Sequence, residues 1–325
     1  MSNKQIKKSL SAILFALFLT GVFVVSINAQ QLKKKDVVTN NGKEVTITVT
    51  AVPQNSKARA IAERLQPGDF DVLEDKQSQR IISVKRGDEL PLVVAVLIQD
   101  DLVLRVNNEL NGIRDFIKQL PEGSIVMTGY LTDGVLSVKQ TFTTDRERAA
   151  KSLRIIRSNE MAGPFRLYEQ VIGALELFDG EPKGRRMVLF VSDGLDTSLG
   201  WQYMSPFISF DLYRAISQAQ KRSVSVYSFY APSVSWTSFS RRAANAGQSS
   251  LYRIAEETGG EAFFSGMDFV TFDPYFRELN EMLGQQWVIT YQSSSVKTGF
   301  RKIEVTTDFD IHLHHPAGYE VKKKK

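Results

Sequence analysis

Ser192, Asp193, Gly194 and Asp196 follow directly on the apolar run Met187-Val188-Leu189-Phe190-Val191. A buried strand that ends this way presents carboxylates at the carboxyl edge of its sheet, where open α/β folds bind ligands. A second acidic pair, Asp100 and Asp101, follows the run "LVVAVLI". Carboxylate oxygens suit a hard divalent cation, either Mg²⁺ in a six-oxygen shell or Ca²⁺, which accepts irregular geometry. Two plainer roles compete. The acids can be exposed strand ends solvated by water, and Asp193 can cap its loop by accepting neighbouring backbone N–H groups.

Other groups able to do chemistry are few. There is no cysteine, so thiolate chemistry and a disulfide frame are excluded. His312, His314 and His315 are the three histidines. His312 and His314 share a strand face and make two ligands of a zinc site that lacks a third, so half-exposed strand residues are the plainer reading. The chain has no G-x-S-x-G elbow, no H-E-x-x-H and no P-loop. "DGLDTS" places its two acids one residue too far apart for an aspartyl-phosphate loop. A secreted hydrolase is therefore a remote reading and a non-enzymatic chain the expected one.

Two aromatic segments stand out instead. "WQYMSPFISF" carries Trp201, Tyr203 and Phe207, and "YAPSVSWTSFSRR" carries Tyr230 and Trp236 ahead of Arg241 and Arg242. Each follows a strand and so falls at the carboxyl edge. Aromatic and arginine side chains together match the composition of protein-binding surfaces. The competing reading folds these aromatics inward as a roof over the sheet.

The elements that must position these residues are legible as patterns. "EVTITVTAV" alternates, with Val45, Ile47, Val49 and Ala51 on one face, and "DFDVLEDKQSQRIISVKR" reads as two short strands about a polar turn. From Pro91 onward, apolar runs alternate with helical spacing such as Val106, Leu110, Ile113, Ile117 and Leu120. Asp145 is placed to cap "RERAAKSLRII", and Gly259-Gly260 to stop "SLYRIAEET". This alternation predicts an α/β fold with a doubly wound, mostly parallel sheet. From 287 the pattern returns to strands, "WVITYQSS", "FRKIEVTTD" and "IHLHHPAGY". They are expected to pair with those of 43–90, so that the α/β unit is inserted in a small β-sandwich-like domain formed by both chain ends. The expected divisions are 1–29, 30–90, 91–286, 287–321 and a basic tail at 322–325.

At the amino end, "MSNKQIKK" and the apolar run to Ile27 have signal-peptide character, with Ala29 at the last position before cleavage. The run also nears the length of a membrane anchor. Cleaved or kept, it directs the rest of the chain outside the cytoplasm, periplasmic or secreted, with the uncleaved segment as the sole expected membrane contact. The formal charge of +5 falls to +2 without the three lysines of that segment, too little for a nucleic-acid footprint.

The order of these motifs resembles the von Willebrand factor A-type domain, in the form found in exported proteins of acidobacteria and related bacteria. "PLVVAVLIQDD", "GPFRLYEQVIGAL", "RRMVLFVSDGLDTS" and "LYRIAEETGGEAFF" follow one another as that family's strands, loops and late helix do. "LQPGDFDVLEDKQSQRI" and "WVITYQSS" resemble its flanking β modules, so the likeness covers about residues 60–320. It implies a metal-ion-dependent adhesion site made of Asp-x-Ser-x-Ser, a Thr and an Asp, holding Mg²⁺ against a partner's carboxylate. This chain departs from that pattern in two of three loops. Gln99-x-Asp101-x-Val103, or Asp100-x-Leu102-x-Leu104, stands for the first, and Phe165 for the threonine. Only Asp193 is kept. Asp100, Asp101 and Asp193 are thus vestigial candidates, with no metal expected and Mg²⁺ or Ca²⁺ left as the alternative. The resulting expectation is a protein-binding module whose partner is another protein or a cell-surface component. Phe165, Trp201, Tyr203, Phe207, Tyr230, Trp236, Arg241 and Arg242 are its candidate contacts. A metal-dependent adhesion protein is the alternative.

Overall fold

The computed structural model describes residues 43–133, 135–159, 163, 166–198, 209–266, 269–295 and 297–321. The amino-terminal apolar segment, Phe165, Trp201, Tyr203, Phe207 and the basic tail lie outside them.

The chain opens with β1 (Glu44–Pro53), then α1 (Ser56–Ala62), β2 (Asp71–Glu74), β3 (Gln77–Ser78) and β4 (Arg80–Arg86). The segment "SKARAIAERL" forms α1 because Asn55 caps it, accepting from the Ala58 N–H at 2.9 Å. There follow β5 (Val93–Gln99), α2 (Val106–Gln119), β6 (Ile125–Leu131), β7 (Leu136–Thr143), α3 (Arg146–Lys151) and α4 (Leu167–Glu176). Asp145 caps α3 through the Arg148 N–H at 2.9 Å. Next come β8 (Arg186–Ser192), α5 (Phe210–Lys221), β9 (Val224–Tyr230), α6 (Arg241–Thr258), β10 (Ala262–Phe263) and α7 (Asp273–Gly284). Gly259 ends α6 at φ +77°, a left-handed conformation that glycine adopts without strain. The chain closes with β11 (Gln286–Gln292), β12 (Gly299–Thr306), β13 (Ile311–His314) and β14 (Gly318–Val321).

Six strands form the central sheet in the order β10-β9-β8-β5-β6-β7, all parallel except β7, which runs antiparallel to β6. Both faces are covered, so β5, β8 and β9 are buried along their whole length. Val94, Val96 and Ile98 join α2, α3 and α7 in one core, and Val93, Ala95 and Leu97 join α4, α5 and α6 in the other. The continuous apolar runs in the sequence are the signature of such doubly covered strands. From β5 the chain winds outward to one edge, then returns to wind outward from β8 to the other. The strand order therefore reverses between β5 and β8, and a crevice opens at their carboxyl ends.

The two chain ends pair with one another. β1 lies antiparallel to β11, in register from Glu44↔Gln292 to Thr50↔Gln286, within a sheet ordered β13-β1-β11-β4. A second sheet, β14-β12-β2-β3, packs on it. Val45, Ile47, Val49 and Ala51 fill the space between with Trp287, Ile289, Ile303 and Val305, on the face their alternation assigns. Buried Glu74 joins the two sheets, accepting from the hydroxyls of Tyr291, Ser293 and Tyr319 at 3.1, 2.8 and 3.0 Å. The other face of β1 rests on the α/β unit, where Thr48 Oγ1 donates to the Gly184 carbonyl at 3.2 Å. Arg185 rivets the same junction. Its guanidinium donates to Gln286 Oε1 and to the carbonyls of Gly87 and Leu283 at 2.7–2.9 Å.

Candidate functional site

Three loops close over the crevice between β5 and β8, and backbone hydrogen bonds stitch them together. The β5–α2 loop meets the β9–α6 loop through Val103 N–H to the Pro232 carbonyl (3.0 Å) and Val234 N–H to the Asp101 carbonyl (2.9 Å). The segment after α3 joins them through Ser158 N–H to the Asp100 carbonyl (3.0 Å). The β8 loop, with Asp193, is pressed against α6 at Gly247. A Cβ at that position would lie 2.0 Å from the Asp193 carbonyl oxygen, so the helix needs glycine there for the loop to sit where it does.

The three acids singled out in the sequence converge here, but none is a solvated strand end. Asp100 is 0% exposed and Asp101 and Asp193 are 2% exposed. Burying a carboxylate demands partners, and each has its own. Arg154 grips Asp100 with two hydrogen bonds of 2.7 and 2.8 Å, and Arg157 adds its backbone N–H and Nε at 3.1 Å each. Arg154 in turn lies over the Tyr130 ring, 4.0 Å from its centroid. Asp101 accepts from Gln99 Nε2 at 2.7 Å and from the Ser235 hydroxyl at 2.8 Å. Asp193 accepts from the Leu195 N–H at 2.9 Å, the loop cap that the sequence suggested, and from the Thr237 hydroxyl at 3.1 Å.

Gln99 is the hinge of the arrangement. Its Oε1 accepts from the Ser192 hydroxyl at 2.6 Å and from the Asp193 N–H at 3.1 Å. A backbone N–H can only donate, so the amide oxygen must face β8 and the amide NH₂ must face Asp101. A neutral side chain thus ties the Asp101 carboxylate to Ser192 and to the Asp193 backbone on the neighbouring strand. Burial raises the pKa of Asp193 to about 7, and the neighbouring Asp101 charge pushes the same way. Burial also raises Asp101. Burial and the mutual repulsion of the two acids together disfavour their double ionisation.

No family model and no curated protein matches the chain. Solved structures with similar folds include an aerotolerance-related membrane protein from Bacteroides fragilis carrying multiple mutations to serines. It is 14% identical with a TM-score of 0.42, over 60% of this chain and 99% of that one. The SpRpn10 VWA domain is 11% identical with a TM-score of 0.41, over 60% and 98%. The manganese-loaded TRAP protein of Plasmodium vivax is 7% identical with a TM-score of 0.40, over 78% and 100%. At such identities these proteins say nothing of what this chain binds. The strand order of the chain itself, reversed beside β5 and closed by one antiparallel edge strand, agrees with the resemblance carried by its motifs. The fold is a doubly wound α/β sheet, mostly parallel, joined to a β-sandwich built from both chain ends.

The metal site that the motif resemblance implies does not fit the residues at this edge. All six carboxylate oxygens of Asp100, Asp101 and Asp193 already accept hydrogen bonds from protein N–H or O–H groups. Gln99 presents an N–H donor to Asp101 Oδ1, where a cation site needs a lone pair. Asp196 Oδ2 is a buried carboxylate oxygen without a hydrogen-bond partner among the described residues, and one oxygen does not make a cation shell. Among the described residues no group of three His, Asp or Glu side chains is placed to hold a metal ion. That includes the histidines. The rings of His312 and His314 do meet, with centroids 4.7 Å apart, but His314 is turned to the Gly260 carbonyl and His315 accepts from the Val305 N–H.

The aromatic candidates of the second loop divide. Tyr230 is 2% exposed and packs in the core beneath α4, α5 and α6, so it is a roof residue and not a contact surface. Trp236 is half-buried against Leu195 and Ala243, with its ring beside Phe239. Arg241 and Arg242 are exposed at the start of α6. Sequence reasoning missed the partners of the acids, namely Gln99, Arg154, Arg157, Ser235 and Thr237. The alternating hydroxyls of "SVSWT" were the available signal for the last two. Nothing local marks Arg154, which lies 54 residues from the acid it holds.

Proposed function

We propose that the chain is an exported, non-enzymatic protein-binding module that recognises its partner through the carboxyl-edge loops without a metal ion. One observation carries this reading. The acids at the edge are consumed by internal hydrogen bonds, while the same loops hold Leu104, Ile155 and Phe239 out to solvent at 68, 70 and 68% exposure. Exposed apolar side chains gathered on rigidly held loops mark an interaction surface. The basic and apolar amino-terminal segment supports export. No helix among the described residues is long and apolar enough to cross a membrane.

The test is a photo-crosslinking residue placed at Phe239, with a control at Phe309 in the β12–β13 turn. Incubated with extracytoplasmic extract, the Phe239 position should yield discrete protein adducts that persist in EDTA, and the Phe309 position should not. Adducts that vanish with chelator would establish the metal-dependent adhesion reading instead. Adducts from Phe309 alone would move the binding surface off this edge.

A further inference from the structure

The three stitched loops carry an unbalanced charge. Between Asp101 and Glu109 no residue is acidic, none is between Ser152 and Ser158, and none is between Ala231 and Ala255. The same segments display Arg105, Arg157, Arg241 and Arg242 toward solvent, with Arg154 partly exposed beside them. Asp100 pairs with Arg154 and Arg157, but the buried acids of this edge leave Arg105, Arg241 and Arg242 without an ion pair among the described residues. Every exposed cation here is arginine, the side chain that pairs a carboxylate through two parallel N–H groups and gives up water readily.

Arg241 and Arg242 are also placed against the local electrostatics. They occupy the first turn of an 18-residue helix whose amino end already bears partial positive charge, and that turn contains no acid. Cations there weaken the helix, and local rules are broken this way where function requires it. Arg105, Arg241 and Arg242 make no ion pair among the described residues. Leu104, Ile155 and Phe239 alternate with these arginines along the loops, so the surface offers apolar contact and cationic contact together. A purely polyanionic ligand would leave the apolar groups unused, whereas a protein segment with acidic and apolar side chains uses both.

We infer that this platform docks an acidic, apolar-bearing segment of a partner protein, whose carboxylates pair with Arg105, Arg241 and Arg242 and need no bridging metal. The inference rests on the carboxyl edge being the binding surface, as proposed above.

Fluorescence anisotropy with the full chain tests it, using a labelled dodecapeptide of alternating Glu and Leu, its Gln–Leu counterpart and a heparin-derived oligosaccharide. The Glu–Leu peptide should bind, with EDTA making no difference. Affinity should drop at least about tenfold for the Gln–Leu peptide and for the Arg241→Ser/Arg242→Ser variant, and stay unchanged for Lys85→Ser on β4. The double variant should melt no lower than the parent, since it relieves the helix end. Equal binding of the Glu and Gln peptides would overturn the charge pairing. So would failure of the Glu–Leu peptide to bind at millimolar concentration, or arginine-dependent binding of the oligosaccharide alone. In each case, Phe239 crosslinks that persist would leave the edge itself standing as the binding surface, and their absence would remove both.

Discussion

Replacing Asp193 by asparagine should free the fold of a pH dependence that the buried pair imposes. In the folded chain burial and the Asp101 charge raise the Asp193 pKa from 3.8 to about 7. Between those two values the native protein keeps a proton that the unfolded chain has released. Stability from this group is therefore fully present below about pH 4 and is lost as pH rises through 7. A gap of about three units corresponds to an effect of the order of 4 kcal/mol at most. The new amide of the Asp193→Asn variant keeps the Oδ1 acceptor for the Leu195 N–H and lets the Thr237 hydroxyl reverse its role, so the substitution removes the charge and little else. Urea unfolding of both proteins at pH 4, 5, 6, 7 and 8 isolates the contribution of the Asp193–Asp101 pair, because groups remote from it cancel in the difference. The parent should lose ground to the variant steadily across the series and be the less stable protein at pH 8. A difference that stays flat would mean that Asp193 is ionised throughout, held so by its hydrogen bonds, and would refute the burial argument for its raised pKa.

Calorimetric titration of Mg²⁺, Mn²⁺ or Ca²⁺ into the chain should give no saturable heat, and EDTA should leave its melting temperature unchanged; binding abolished by Asp193→Ala would contradict this. Arg154→Met should cost roughly 3 kcal/mol in urea unfolding by stranding a buried carboxylate, and Asp100→Asn in the same chain should recover most of it. Recovery by Asp100→Asn is the decisive reading, since a loss of packing over Tyr130 alone would not be restored. Gly247→Ala should destabilise by about 3 kcal/mol, because its Cβ meets backbone and not a movable side chain. A neutral Gly247→Ala would show that the Asp193 loop does not need its close seat on α6.

The sequence disclosed most of the architecture because buried strands and amphipathic helices are written in local patterns. The run at 92–98 reads as a doubly covered strand, and it is one. The alternation at 45–51 selects the face that β1 turns inward. The convergence of Asp100, Asp101 and Asp193 was also visible, since each follows a strand of one parallel sheet. What was not visible was their burial. Solvation of an acid depends on what folds over it, and here Arg154 and Thr237 arrive from segments 54 and 44 residues away. Tyr230 shows the same limit from the other side. An aromatic at the end of a strand reads alike whether it faces solvent or core, and the helices packed below it decide the matter.

The pairing of β1 with β11 has a consequence for how the molecule comes into being. β11 is an inner strand of its sheet, flanked by β1 and β4, yet it lies more than 190 residues beyond both in the chain. Until residue 292 is available, β1 and β4 have no partner between them and the sandwich has no middle. The α/β unit can wind itself up from local contacts as it emerges, but its flanking module must wait for the end of synthesis. Closing so long a loop makes that step the slow one in folding. The finished sandwich is thereby postponed until nearly the whole polypeptide is available.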